Sequence, residues 1–407
     1  MPDQDRTLSD IRVLEYGQMV SAPYCARVMA ALGAEVIKVE PPTGDRARVE
    51  GPFPGGIPHS EKSGLFLCMN LDKKGITLDA ATPYGQRVFR RLIEETDILV
   101  ENNAPGHLDS LGLGYEALGA INPGLIVVSI TPLGQRGPYS NYKVHDLNVW
   151  HAGGWGYLWR ERNSEGEPGR PVRAPSYMAS FQAAYNAITA ALGALYFRDC
   201  GGSGQHIDVS EQEAMAFILA GAFPVYNEEK RIAGKNIAIP ASVPSGVLPC
   251  GDGYVLLSVI EPHQWKGLAE LLGNPEWSQE DWTGSIEGRR LNFDIVNAFL
   301  SEWLEDKPVE WVVEKAIEQR IPSSPAGLGI REVVNDKHLE ERGFFTKVEH
   351  PVAGVLRYPS VPWQFSGTGA STLRPAPLLG QHNDEVYMGR LGYTGGEMAR
   401  LRNSGVI

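Results

Sequence analysis

The chain has 407 residues, 43% of them hydrophobic and 21% charged, with a formal net charge of −12. That balance suits a globular protein with a sizeable core and room for more than one domain. The acidic surplus argues against a nucleic-acid partner, because a phosphate-binding face needs clustered Lys and Arg. The cysteines Cys25, Cys68, Cys200 and Cys250 are scattered without CxxC spacing, and the histidines are isolated, so neither a disulfide framework nor a metal site is expected. No apolar run is long enough to span a bilayer and the start, Met1 to Arg6, is polar, which leads to the expectation of a cytoplasmic protein with no membrane partner.

In chain order, Ile11–Tyr16 reads as a strand, followed by a helix with Pro23 near its start that runs to about Leu32 and stops at Gly33. Glu35–Glu40 is the next strand. Thr82 and Pro83 open a helix leading to the strand Asp97–Glu101, and Leu125–Ser129 is a further strand. Strand and helix alternating at this spacing imply a doubly wound parallel sheet, an α/β fold. From Phe181 the residues Ala184, Tyr185, Ile188, Ala191, Leu192 and Leu195 recur at helical spacing, with Ser180 placed as the N-cap. Past residue 225 the character changes. Val247–Ser258 reads as a hairpin turning at Gly251, Asp252 and Gly253, and helices are expected at 264–272, 291–304 and 308–319. The expected domains are a large Rossmann-like one over 1–225, a small α+β one over 226–335, and a return of 336–407 to the large domain.

The segment after the first strand, Gly17 to Ala22, is not GxGxxG, and its missing glycines argue against a bound dinucleotide. There is also no P-loop, no HExxH and no GxSxG elbow, so no permanently bound cofactor is expected.

The stretch Ala191–Ser210, with Gly202-Ser-Gly-Gln-His-Ile-Asp-Val-Ser210 at its end, resembles the hallmark of the class III coenzyme A transferases. Supporting segments follow in the right order: Ile11–Gly17, Ala30–Pro42, Met69–Asp79, Val100–Gly106, Gly134–Tyr139, Leu339–Phe345 and Ala376–His382. The resemblance covers almost the whole chain. It implies a Rossmann-like large domain from both chain ends, a small domain between, and an interlocked dimer. It implies a coenzyme A thioester as substrate, bound by Gln18, Met19, Val20, Ser21, Asn102 and Lys143, with Arg48, Lys73 and Lys74 as candidates for its phosphates. A family arginine downstream of the Asn falls on Ser110 here.

In that family an aspartate attacks the acyl-CoA thioester, and both the anhydride and the aspartyl-CoA that follow stay activated. The matching position holds Ser180, and Ser176–Ser180 offers no substitute carboxylate. A serine would form an ordinary ester, too stable to pass coenzyme A onward, and the sequence shows no base to activate it. Three readings follow. The chain is a non-nucleophilic subunit of a heteromeric transferase, like those acting on benzylsuccinate, whose homologous partner supplies the aspartate and without which the isolated chain is inactive. Alternatively it resembles an α-methylacyl-CoA racemase, because Val144–Asn148 and Val259–Pro262 are similar to racemase segments; His145 would exchange the α-proton with Glu261 in support. The third is a non-catalytic CoA-binding homologue. Asp146 matches a family position that is mainly structural. Trp150, Trp155, Tyr157 and Trp159 suit either a pocket for an aromatic acyl group or ordinary packing.

Overall fold

The computed structural model of the protein describes residues 6–159, 169–230, 232, 242–368 and 373–407. It divides into two compact units. One gathers the described residues before 235 with those from 343 to the end, and the other holds the described residues between 242 and 342.

The first unit is built on a parallel sheet of six strands: β1 (Arg12–Tyr16), β2 (Glu35–Glu40), β3 (Lys74–Thr77), β4 (Ile98–Glu101), β5 (Ile126–Thr131) and β6 (His206–Ser210). Their order across the sheet is β3-β2-β1-β4-β5-β6. Parallel strands need a covering crossover each time, so both faces must be apolar. Alternate residues divide the core accordingly. Val13, Val36, Ile98, Val100 and Val128 face one cluster, and Leu14, Ile37, Leu99 and Val127 face another.

Helices α1 (Ser21–Ala31) and α4 (Met178–Asp199) cover the first face, and α2 (Pro83–Ile93) covers the second. Two shorter helices flank the future site: α3 (Asp146–Ala152) and α5 (Glu211–Phe217). In α4, Ala183, Ala184, Ala187, Ala191 and Ala194 are all buried, and their small side chains let this helix lie close against α1. α4 begins at Met178, three residues before the expected Phe181. Ser180 is therefore inside the first turn and not its N-cap. The reason is tertiary: Asp146 caps these amides from another element and removes the need for a local cap. After the second unit the chain returns with the antiparallel pair β10 (Phe345–His350) and β11 (Gly354–Pro359).

The second unit pairs β7 (Ser245–Cys250), β8 (Gly253–Ser258) and β9 (Ser323–Ala326) antiparallel. Helices α6 (Pro262–Leu271), α7 (Phe293–Leu304) and α8 (Val309–Glu318) pack on them around Leu257, Leu268, Leu300 and Val312. Among the described residues no helix is long and apolar enough to cross a membrane, and no cluster of metal-ligating side chains forms.

Candidate active site

Ligands of open α/β sheets bind outside the carboxyl ends of the strands, where the strand order reverses. In this sheet the reversal falls between β1 and β4. The loop leaving β1 and the residue leaving β4 are fastened to each other at that point. Asn102 accepts the Gln18 N–H at 2.9 Å and donates Nδ2 to Gln18 O at 2.8 Å and to Ser21 Oγ at 3.1 Å. The approach is so close that a Cβ on Gly17 would lie 2.8 Å from Asn102 Oδ1 and 2.4 Å from the Ala22 Cβ, so only glycine fits.

The same loop is anchored to buried charges. Lys38 Nζ donates to Gly17 O at 3.0 Å and pairs with Glu15 at 2.7 Å and Asp45 at 2.8 Å. Asp45 in turn accepts the N–H of Met19, whose φ of 66° is left-handed. Burial opposes the charge on Lys38, yet Asp45, Glu15 and Glu40 outweigh it and raise its pKa. Gln18 and Ser21 are thus fastened to Asn102, and Met19 between them to Asp45.

The cations expected at the phosphates are placed differently. Arg48 is buried, pairs with Glu40 and Glu61 at 2.7 Å each, and lies over the Phe66 ring. Lys73 is buried too; its Nζ pairs with Glu15 at 2.6 Å and donates to Pro23 O and Asn70 Oδ1. Burial draws the Lys73 ammonium down to about 8. Both side chains spend donors inside the fold, on Glu40, Glu61 and Pro377 O for Arg48 and on Glu15, Pro23 O and Asn70 for Lys73. Lys74 opens β3 at the amino edge of the sheet, opposite the loop, and pairs with Glu35 and Glu385. Lys143 is exposed on the segment before α3. A cavity of about 780 Å³ opens along the loop after β4, lined by Ala104 to Asp109 with Arg136 among its further walls.

Beside this turn lies a carboxylate that the sequence did not point out. Glu211, the first residue of α5, directly follows β6 and is 5% exposed. The hydroxyls of Ser180 and Ser21 favour its charged form. Burial pushes its carboxyl up to about 7, against the Ser180 bond, with the Asp146 charge adding to the rise and the Ser21 bond opposing it. Asp146, the first residue of α3, accepts the Ser180 N–H at 3.0 Å and the Ala179 N–H as well. The Ser180 hydroxyl also reaches Asp146, and with one proton it can donate to only one carboxylate at a time. Bonds thus join Asp146 to the Ser180 amide on one side, and Asn102 to Ser21 and Gln18 on the other. The only sequence signal for Glu211 was an acid immediately after a strand, at the carboxyl edge.

His145 is exposed at the start of α3, where its N–H is taken by Asn148 Oδ1 at 2.9 Å. Glu261 belongs to the second unit, exposed at the start of α6, its N–H held by Gln264. Trp150 and Trp155 spend their indole N–H groups on Val172 O and Met215 O, and Trp150 packs with Val149, Ala179 and Met215 beneath the start of α4. A cavity of about 280 Å³ lies beside them, lined by His145, Asp146, Trp150, Arg173 and Tyr177.

A sequence model described as CoA-transferase family III matches residues 8–383. The chain is 30% identical to a formyl-CoA:oxalate CoA-transferase of Streptomyces avermitilis, over 99% of this chain and 100% of that one. It is 31% identical to the alpha subunit of a succinyl-CoA–L-malate CoA-transferase of Chloroflexus aurantiacus, over 98% and 92% of the two chains, and 30% identical to a beta subunit of the same description. Its fold is similar to that of a CAIB/BAIF family protein from Brucella suis, with a TM-score of 0.83, 27% identity, and 95% and 100% of the two chains covered.

Proposed function

We propose, from the premise that the chain belongs to CoA-transferase family III, that it moves coenzyme A from an acyl-CoA thioester such as succinyl-CoA to a free carboxylic acid. The observation that supports this reading is the fastening of the Gln18–Ser21 turn to Asn102 at the strand reversal. A turn braced in this way is preorganised to receive one end of a substrate without reordering on binding. The cavity along the loop after β4 has the volume for part of a nucleotide thioester, and the smaller cavity beside Asp146, with Arg173 and Trp150 in its wall, suits the acid. Arg173 would hold a second carboxylate of a dicarboxylic acid, and Trp150 would cover an aromatic one such as benzylsuccinate.

The reaction needs a carboxylate nucleophile, and the Ser180 hydroxyl does not replace one, because an acyl serine is not activated toward thiolate. One reading places that carboxylate on a homologous partner subunit. The relatives described as alpha and beta subunits favour it. The test is to supply succinyl-CoA with benzylsuccinate, L-malate or oxalate, and to follow the new acyl-CoA chromatographically. Its appearance with the chain alone or with a co-purified homologue supports transfer. Absence of any exchange in both preparations, or α-proton exchange into a 2-methylacyl-CoA without a change of acid, would overturn it in favour of a binding protein or a racemase using His145.

A further inference from the structure

We infer that Arg173 makes this chain selective for dicarboxylic acids on both sides of the transfer, holding the far carboxylate of the donor acyl group and then that of the acceptor in the cavity beside Asp146. The inference rests on the transferase reading and narrows it: a monocarboxylic acid, or its thioester, is a poor substrate.

The cavity has a volume of about 280 Å³, with His145, Asp146, Trp150, Arg173 and Tyr177 in its wall. Pockets that enclose drug-sized ligands run to about 300–1,000 Å³, so this one takes a small acid and not the nucleotide end of a thioester. Part of the wall adjoins position 180, because Asp146 accepts the Ser180 N–H at 3.0 Å. Arg173 is the only lysine or arginine among the described lining residues. The backbone next to it is fastened. Trp150 Nε1 donates to Val172 O at 3.1 Å, and Trp150 is itself buried against Val149, Ala179 and Met215. The residue before Arg173 is thereby tied to the packing beneath the start of α4.

Arg173 differs from the cations around the Gln18–Ser21 turn in having donors to offer. Lys38, Arg48 and Lys73 are buried and paired with carboxylates. Arg173 is exposed, and among the described residues no hydrogen bond or salt bridge engages its guanidinium. A guanidinium presents a planar fork that matches a carboxylate with two parallel, charge-assisted hydrogen bonds. An acid with two carboxylates can set one on Arg173 and turn the other toward position 180. An acid of the same length ending in a methyl group makes neither bond, and a site built to bond a polar group rejects the analogue that lacks it.

The two sides of the reaction share this requirement because they use one place in turn. The C–S bond of the donor thioester breaks and a C–S bond forms at the acceptor. Net, coenzyme A passes from donor to acceptor, one oxygen atom passes from the acceptor carboxylate to the donor acyl carbon, and the donor leaves as a carboxylate. The reacting ends are therefore equivalent, and a cavity of this volume holds one small acid at a time. The same guanidinium reads both acids. Succinyl-CoA then serves as a donor, and formyl-CoA, with nothing beyond its reacting carbon, does not.

The test uses the full chain, with any homologous chain that co-purifies, titrated calorimetrically with succinate and with butyrate, the monocarboxylic acid of the same length. Succinate is expected to bind at least ~10-fold more tightly, the scale of a hydrogen bond to a charged group. R173Q should bring succinate down to the level of butyrate and leave butyrate unchanged, and R173K should restore part of the difference. Arg173 is exposed, so both variants are expected to fold, which circular dichroism checks. In turnover succinyl-CoA should exceed butyryl-CoA as donor by a similar factor. Equal affinity for the two acids, no binding of either, or a preference that survives R173Q would overturn the Arg173 assignment and leave the transferase reading standing. A preference for succinate that R173Q abolishes, with no exchange of acids in any preparation, would instead remove the transferase reading and keep the cavity as a dicarboxylate site.

Discussion

Two groups of buried carboxylates flank the Gln18–Ser21 turn, and they are built on opposite terms. On one side Glu15, Glu40 and Asp45 meet Lys38, Lys73 and Arg48 in short pairs, so every negative charge has a positive neighbour. On the other side half-buried Asp146 and buried Glu211 lie beside Ser180 without a short salt bridge among the described residues, with the Ser180 N–H and the more distant Arg173 charge favouring ionised Asp146. Paired charges fix geometry, because separating them in a poorly solvated interior is costly. Carboxyls buried without such a partner bind their protons more tightly than solvated ones. The first group positions the turn, and the second leaves a buried carboxyl with raised proton affinity.

That contrast can be broken from either side. The largest effect is expected from Glu15→Gln, which leaves Lys38 and Lys73 facing each other without their shared carboxylate. Removing one member of a buried ion pair costs about 3–5 kcal/mol, so chemical denaturation should show a loss of that order.

Glu211→Gln should act in the opposite sense. The carboxyl of Glu211 is raised from 4.5 to about 7 in the folded state. The folded chain therefore binds this proton more tightly than the unfolded one, and the associated stability is lost as pH rises from about 4.5 to about 7. Above that window the glutamine variant should be the more stable by up to roughly 3 kcal/mol, taking 1.36 kcal/mol for each tenfold in proton affinity. Below about pH 4.5 the difference should vanish. Denaturation of both proteins at the two ends of the window checks the sign.

Asn102→Ala sharpens the comparison from the ligand side. It removes three hydrogen bonds from the turn. At about 1 kcal/mol for each hydrogen bond, partly recovered by solvent, KM for the thioester should rise on the order of tenfold with a smaller change in kcat. Equal losses in both would mean that the turn acts on the transition state instead.

The smallest effect belongs to Lys74→Ala. Its pairs with Glu35 and Glu385 are half exposed, and such pairs contribute about 0–1 kcal/mol. KM should not move, because Lys74 lies at the amino edge of β3. A rise in KM would instead support the phosphate role expected of it.

What local sequence determined is visible strand by strand. Apolar runs such as Ile98–Val100 and Ile126–Val128, bounded by turn residues, are strands wherever the chain goes, because their backbone preference and their need for burial agree. The ordered family segments identified the fold, and through it the turn at Gln18–Ser21 and its partner Asn102. Ser180, Arg48, Lys73 and Glu211 lay beyond that reach. Whether Ser180 caps a helix depends on Asp146, 34 residues earlier in the chain. Whether a lysine or arginine meets solvent, a ligand or a buried acid depends on which strand lies beside it, and Lys73 finds Glu15 58 residues away. Glu211 is one acid among 49 in the sequence, and only the packing of α4 and α5 sets it next to Ser180. Secondary structure follows from neighbours along the chain, while the charge state of a side chain follows from neighbours in space.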